Sequence, residues 1–320
     1  MGFRNILVGA VVFLSAVTLV ACGSNSSESE SVKVGIIQYA EHDALTASRE
    51  GFIEALAEAD YIEGENLTID YQNAQGDQAN LQTMVTQFVG ENNLNYAIAT
   101  PAAQALLNVD SETPAVFAAV AAPVEAGIVE SFESPGGNIT GASNVSNTAE
   151  QIEMLLKVVP DAEKVGIFYN SSEVNSEIQA QRAIKALEEK GVTPVVKTVT
   201  STNDVQQVMT SLASQVDAVY FPTDNTVSST AATIEEVLKE AKVPAIGSDK
   251  AILDAVLFTY SVDYHALGKQ AGNLAVKILE GADPSDLPVE TPAEASIAIN
   301  EETAGILGID VSSIETVISE

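Results

Sequence analysis

Four short polar clusters, each directly after an apolar run, carry whatever chemistry this sequence has. They are Gln38-Tyr39-Ala40-Glu41-His42-Asp43, Thr100-Pro101-Ala102-Ala103-Gln104, Asn170-Ser171-Ser172-Glu173-Val174-Asn175 and Pro222-Thr223-Asp224-Asn225-Thr226. Each offers hydroxyls, amides or a carboxylate where a helix is expected to begin. Groups of this kind hold a small molecule by hydrogen bonds and charge, with no covalent step. Any one cluster also reads as helix capping, because Ser, Thr, Asn and Asp are preferred at helix starts. Four of them on one crevice point to a ligand site.

The means for making or breaking bonds are thin. No G-x-S-x-G elbow, phosphate-binding loop, G-x-G-x-x-G or H-E-x-x-H pattern occurs. His42 and His265 are the only histidines, and they lack a metal-ligand spacing, so neither a metal nor a cofactor is expected. The single cysteine closes Leu19-Val20-Ala21-Cys22, after an apolar run from Ile6 and before Gly23-Ser24-Asn25-Ser26-Ser27. Small residues before a cysteine suit a lipoprotein signal peptidase, with Cys22 as the acylated residue. Residues 1–21 are therefore predicted to be a signal peptide and 22–31 a Ser/Glu-rich linker. The mature chain would lie outside the cytoplasm, tethered to the membrane through lipid on Cys22. The competing reading is a transmembrane helix. It is disfavoured because Ile6 to Ala21 is about 16 residues, short of the roughly 20 that a spanning helix needs.

The net charge of -31, from 45 acidic and 14 basic residues, leaves no material for a phosphate-binding patch, so nucleic acid is excluded as a partner. The acids are scattered and read as a solvated surface. With 46% apolar residues, the chain after the linker can bury a core, and its length suits two lobes.

Short apolar runs alternate with amphipathic stretches throughout. Val32 to Gln38 is strand-like, and Phe52, Ile53, Leu56 and Ala59 then line a helix face; Leu67 to Tyr71 alternates, and Leu81, Val85 and Phe88 mark the next helix. The pattern restarts at Lys164-Val165-Gly166-Ile167-Phe168-Tyr169, an echo of Lys33-Val34-Gly35-Ile36-Ile37. Likewise Asp217 to Pro222 echoes Asn95 to Pro101. Regular alternation of this kind implies an α/β chain of two similar units, each a parallel sheet flanked by helices. The N-terminal lobe is expected over 32–142 plus part of 255–290, and the C-terminal lobe over 143–254 plus 291–320. Pro135-Gly136-Gly137-Asn138 is expected as a crossover or hinge-proximal loop.

Ligands in such sheets sit outside the carboxyl ends of the strands. An amino acid would suit the clusters. Its carboxylate would take the helix start at Thr100 to Ala102, and its ammonium would take Asp224, with Asp263 and Asp249 in reserve. An apolar side chain would want Tyr39, Tyr260 or Phe221 as walls.

Gln38-Tyr39, Tyr71 to Asp77, Ala99 to Gln104, Tyr169 to Ser176, Pro222 to Thr226 and Tyr260 to Tyr264 together resemble the ABC transporter substrate-binding lipoproteins of the tryptophan/tyrosine-binding type. The likeness runs from about Val32 to the tail. It implies a type I periplasmic-binding fold, two Rossmann-like lobes linked by a hinge, that closes on its ligand and delivers it to a membrane permease driven by a cytoplasmic ATPase. It departs at Ala121-Ala122-Pro123, where a Thr-Asp-Pro is expected, at Leu253-Asp254-Ala255-Val256, where a Gly-rich turn is usual, and at Asn144, where an acid is expected. These departures bear on the ligand more than on the fold. The expected ligand-binding set is Gln38, Tyr39, His42, Thr100, Ala102, Gln104, Asn144, Asn170, Ser172, Asn175, Asp224, Asn225, Thr226, Tyr260 and Asp263. The rival readings are the same fold binding a sugar, nucleoside or signalling molecule, an exported enzyme, and a transcriptional regulator.

Overall fold

The computed structural model describes residues 31–292, 295–312, 314 and 315. The predicted signal peptide, Cys22 and all of the linker except Ser31 lie outside the described residues.

The first half folds as β1 (Val32–Gln38), α1 (Asp43–Glu58), β2 (Leu67–Asn73), α2 (Gln78–Phe88), β3 (Leu94–Ile98), α3 (Thr100–Val109), β4 (Ala115–Ala118) and β5 (Ile139–Ala142). The second half repeats the plan with α4 (Thr148–Val158), β6 (Lys164–Asn170), α5 (Val174–Glu189), β7 (Thr193–Val199), α6 (Val205–Ala213), β8 (Ala218–Phe221), α7 (Asn225–Ser229), α8 (Ala231–Ala241), β9 (Ala245–Gly247) and β10 (Phe258–Ser261). The chain then runs through α9 (Tyr264–Leu279), β11 (Ser296–Ile299) and α10 (Glu301–Leu307).

One sheet has the order β2-β1-β3-β4-β5 and the other β11-β10-β9-β8-β6-β7, so the same five-strand winding occurs twice. All neighbours are parallel except β10 and β11. Every residue of β3, β4 and β8 is buried, as expected of central parallel strands covered by helices on both faces. The edge strands β2 and β7 expose several positions instead.

The chain passes between the lobes three times. Residues 143–147 lead from β5 into α4, and residues 262–263 return it from β10 to α9. The third passage first runs beside β5, where Glu290 N donates to Gly141 O at 2.9 Å and Ser143 N donates to Glu290 O at 2.8 Å. Residues 255–290 are thus divided between the lobes. Strand β10 belongs to the second sheet, whereas α9 buries Leu267, Ala271, Leu274 and Ala275 in the core of the first. The Pro135-Gly136-Gly137-Asn138 turn precedes β5 inside the first lobe and is not itself a crossing. Its neighbour Phe132 touches the third passage, accepting from Val289 N at 2.7 Å.

Helix α9 is anchored by its near approach to α1. A Cβ on Gly268 would lie 1.9 Å from Ser48 O, and one on Gly51 would lie 2.1 Å from His265 O. On its other side α1 stacks Phe52 on Tyr96 of β3, with ring centroids 4.0 Å apart and planes 10° apart. The Tyr96 hydroxyl meets Ser48 Oγ at 2.8 Å. Side chains larger than hydrogen at the helix contact must push two backbones apart, and overpacking of that kind costs about 1–3 kcal/mol or more. Gly268→Val is therefore expected to lose at least that much unfolding free energy, read as a lower urea midpoint and melting temperature. An unchanged denaturation curve would contradict the contact.

Candidate ligand-binding cleft

The strand order reverses between β1 and β3 in one sheet and between β6 and β8 in the other. Loops leaving a reversal diverge and open a crevice at the carboxyl ends of the strands. The loops after these four strands are the four polar clusters, and those after β1, β6 and β8 contribute residues to a cleft between the lobes, whereas none of Thr100 to Gln104 lines it. His42 Nε2 lies 3.3 Å from Asn225 Oδ1 across the gap. Farther out, Arg182 of α5 pairs with Glu125 from the loop after β4. A cleft of 970 Å³ runs between the lobes, lined by Tyr39, Glu41 and Gln78 on one side and by Asn170, Ser172, Asn225 and Thr226 on the other.

The second lobe brings two carboxylates to this edge. Asp224 is 1% exposed. Its Oδ2 accepts from Asn170 N at 2.7 Å, and its Oδ1 caps α7 by accepting from Val227 N at 2.8 Å. Glu173 is fully buried and grips the same helix start. Oε2 accepts from Asn225 N at 3.0 Å and Asn225 Nδ2 at 2.6 Å, and Oε1 accepts from Thr226 N at 3.0 Å and Thr226 Oγ1 at 3.1 Å. Among the described residues, neither acid pairs with Lys or Arg. Burial first, and then the neighbouring Glu173 carboxylate, push the Asp224 carboxyl well above the ordinary carboxylate range, against the backbone donors that hold it. Burial also raises the Tyr39 phenol, and the charges of Glu173 and Asp224 add to that. Tyr39, from the first lobe, thus feels both acids of the second; its hydroxyl donates to Gly76 O at 3.1 Å.

In the first lobe, α3 begins with Pro101 in its first turn and no side-chain cap. Ala99, just before it, has φ 82° and ψ 156°, a conformation that costs a non-glycine residue about 1–3 kcal/mol. Thr100 and Ala102 are buried at this turn. Asn170 links its own loop to the acids through Nδ2 to Thr226 Oγ1 at 2.7 Å, and its Oδ1 accepts from Ser172 N at 2.8 Å. Asn175 donates Nδ2 to Thr223 O at 2.8 Å, which leaves Oδ1 buried and without a partner. Asn144 lies at the hinge. Its Nδ2 donates to Tyr264 Oη at 2.9 Å, Tyr264 Oη donates to Asp249 Oδ2 at 2.8 Å, and Asn144 Oδ1 is left buried without a partner.

Several expected residues take other places. Gln38 faces inward: its Oε1 accepts from Arg49 and Tyr71, and its Nε2 donates to Ala40 O. Gln104 ties down the loop after β4 through Ala126 O. Tyr260 is no wall of the cleft. Its ring leaves a face of the second sheet and lines a separate groove with Met154 and Ala186. Asp263 is no cation partner there either, being exposed and capping α9 through Ala266 N at 3.1 Å. Phe221 is fully buried edge-on to Phe168 in the core. Asp249, held in reserve for a cation, instead receives the Tyr264 hydroxyl. His265 stands on the outer face beside Glu54. Glu173 stands within one of the polar clusters yet is absent from the expected set, because the spacing of acids along the chain carries no signal for one that grips a distant helix.

Two repeated α/β lobes, three connections and a polar cleft at paired strand ends define a two-lobed hinged binding protein. Residues 33–318 match the family model described as ABC transporter substrate binding protein. A tyrosine-binding protein of Clostridioides difficile strain R20291 is 38% identical over 304 residues, covering 92% of this chain and 88% of that protein. A Streptococcus pneumoniae ABC domain in complex with L-Trp superposes with a TM-score of 0.85 at 34% identity, covering 91% of this chain and 98% of the other. The ligand-free, open structure of a substrate-binding protein with adhesive properties from Clostridium difficile gives a TM-score of 0.66 at 37% identity, covering 87% and 95%. The chain belongs to the ABC transporter substrate-binding protein family. It is accordingly an extracytoplasmic binding protein, not an enzyme, working with a small-molecule ligand and an ABC permease. Among the described residues no helix is long and apolar enough to cross a membrane.

The hydroxyl of Tyr264 joins the return passage to both the first passage and the second lobe. Tyr264→Phe would leave Asp249 Oδ2 and Asn144 Nδ2 unpaired, at a cost of about 1–3 kcal/mol. A urea midpoint indistinguishable from wild type would rule out a stabilising role for this bridge.

Proposed function

We propose that this protein is the lipid-anchored receptor of an ABC importer for an aromatic amino acid, tyrosine or tryptophan first, held between the lobes. The observation that carries the reading is the pairing of unlike needs in the two lobes. In the second, two buried acids lack a cation among the described residues; in the first, a helix start lacks a side-chain cap. A free amino acid supplies an ammonium for the first and a carboxylate for the second. Thr100 and Ala102 take the carboxylate, Asp224 takes the ammonium, and Asn170, Ser172, Asn175, Asn225 and Thr226 complete the second-lobe contacts. Tyr39, the one aromatic residue lining the cleft among those described, packs against the ligand side chain. The unpaired Oδ1 atoms of Asn144 and Asn175 favour a ligand rich in N–H donors. Binding across both lobes stabilises the closed form for the permease to recognise. The names of the relatives, tyrosine-binding in one and bound to L-Trp in another, support the choice of ligand class.

A thermal-shift screen followed by calorimetry is expected to find stabilisation by tyrosine or tryptophan and none by myo-inositol, arabinose or adenosine. Stabilisation by a sugar or nucleoside alone would overturn the reading. Asp224→Ala is expected to weaken amino-acid binding by roughly thirtyfold or more, the scale of a 2 kcal/mol loss. Unchanged affinity would remove Asp224 from the ammonium role. For the anchor, Cys22→Ser is expected to move the protein from the detergent phase to the aqueous phase on Triton X-114 partition and to abolish fatty-acid labelling. Detergent partition that persists in this variant would exclude acylation at Cys22.

A further inference from the structure

We propose that Glu173 is a positioning residue that fixes the imidazole of His42, in the opposite lobe, as an acceptor aimed at the ligand. The inference rests on the cleft being the ligand site. Its first link is the Asn225 amide. Glu173 Oε2 takes the Nδ2 hydrogen of Asn225 at 2.6 Å, so the amide cannot flip without setting an oxygen against the carboxylate. Only Oδ1 is then left to face the first lobe. There it meets His42 Nε2 at 3.3 Å. An oxygen acceptor requires that ring nitrogen to carry the proton, so the neutral ring is the Nε2–H tautomer and Nδ1 holds a lone pair. Nδ1 is buried and has no partner among the described residues. A buried acceptor without a donor is costly, and an N–H or O–H of a closed-in ligand would satisfy it.

The carboxylate is itself held in one orientation. Glu173 stands at the start of α5, but its side chain makes no capping bond to that helix. Its four contacts all go to Asn225 and Thr226 at the start of α7. A rigid anchor in the second lobe therefore determines which atom the first lobe presents. Three further groups bear on the relay. Tyr39 and Glu41 of the first lobe line the same cleft, and Asp224 lies beside Glu173.

With only two histidines in the chain, long-range ¹⁵N–¹H spectra of the imidazoles assign His42 directly, and His265 serves as the internal reference. The wild-type protein is expected to show His42 with a protonated Nε2 and a pyridine-type Nδ1. Glu173→Gln, which can turn its own N–H toward Asn225, is expected to mix the tautomers and to weaken tyrosine or tryptophan binding about tenfold. In a His42→Ala background the same change is expected to cost little further affinity. Glu173 and His42 do not touch, so that non-additivity is the signature of the relay. If Glu173→Gln fails to fold, Asn225→Ala breaks the same chain and takes its place in the cycle. An Nδ1–H tautomer in the wild type, or additive losses, would overturn the relay while leaving amino-acid binding intact. Absence of amino-acid binding by the wild type would instead refute the functional reading beneath it.

Discussion

Two acids buried side by side, with no cation beside them among the described residues, set the terms for the whole cleft. Moving a carboxylate out of water is expensive, and it is tolerated only where several donors converge on it. Glu173 and Asp224 obtain those donors from the loop after β6 and from the first turn of α7. Their burial thereby locks two separate loops into one rigid edge. That edge carries Asn225 and Thr226 into the gap and leaves a local negative field that Tyr39, in the facing lobe, experiences directly. A hinged receptor built this way favours a guest bearing positive charge, because such a guest compensates a cost already built into the fold.

The same logic extends to the hinge. The chain crosses three times, and each passage is tied to another by hydrogen bonds. Ser143 N reaches Glu290, Glu290 reaches Gly141, and the Tyr264 hydroxyl joins Asn144 to Asp249. Helix α9 enters the first lobe immediately after the second passage and is wedged against α1 with glycine at the contact, so the passage has a fixed end on that side. Any rotation of one lobe on the other would then fall on the few residues between β10 and α9, between β5 and α4, and on the third passage. Short segments between rigid bodies are what a hinge requires.

Much of this is legible in the chain. The alternation of apolar runs with amphipathic helices depends on nearest neighbours along the sequence, and it yields two α/β units and the loops that close each strand. The restart at Lys164 locates the repeat. Asp224 stands out because an acid after an apolar strand caps the next helix, as it does through Val227 N. Tyr260, Phe221 and Asp263 depart from expectation for a common reason. Position near a strand end says nothing about direction: the Tyr260 ring leaves the sheet by its face, Phe221 turns into the core, and Asp263 bonds its own helix.

The sequence by itself determined the fold class, the polar clusters and the absence of recognisable catalytic patterns, since each is a local property of spacing and residue type. Only the tertiary structure decided that Glu173 would grip Asn225 and Thr226, some fifty positions away, and that His42 would meet Asn225 from the other lobe. It also decided that Gln38 would be consumed by Arg49 and Tyr71 instead of facing the cleft. Those outcomes depend on which strand lies beside which and on how two bodies close. Hydrogen bonds select partners by distance and angle in space, and sequence order specifies neither until the sheets have formed.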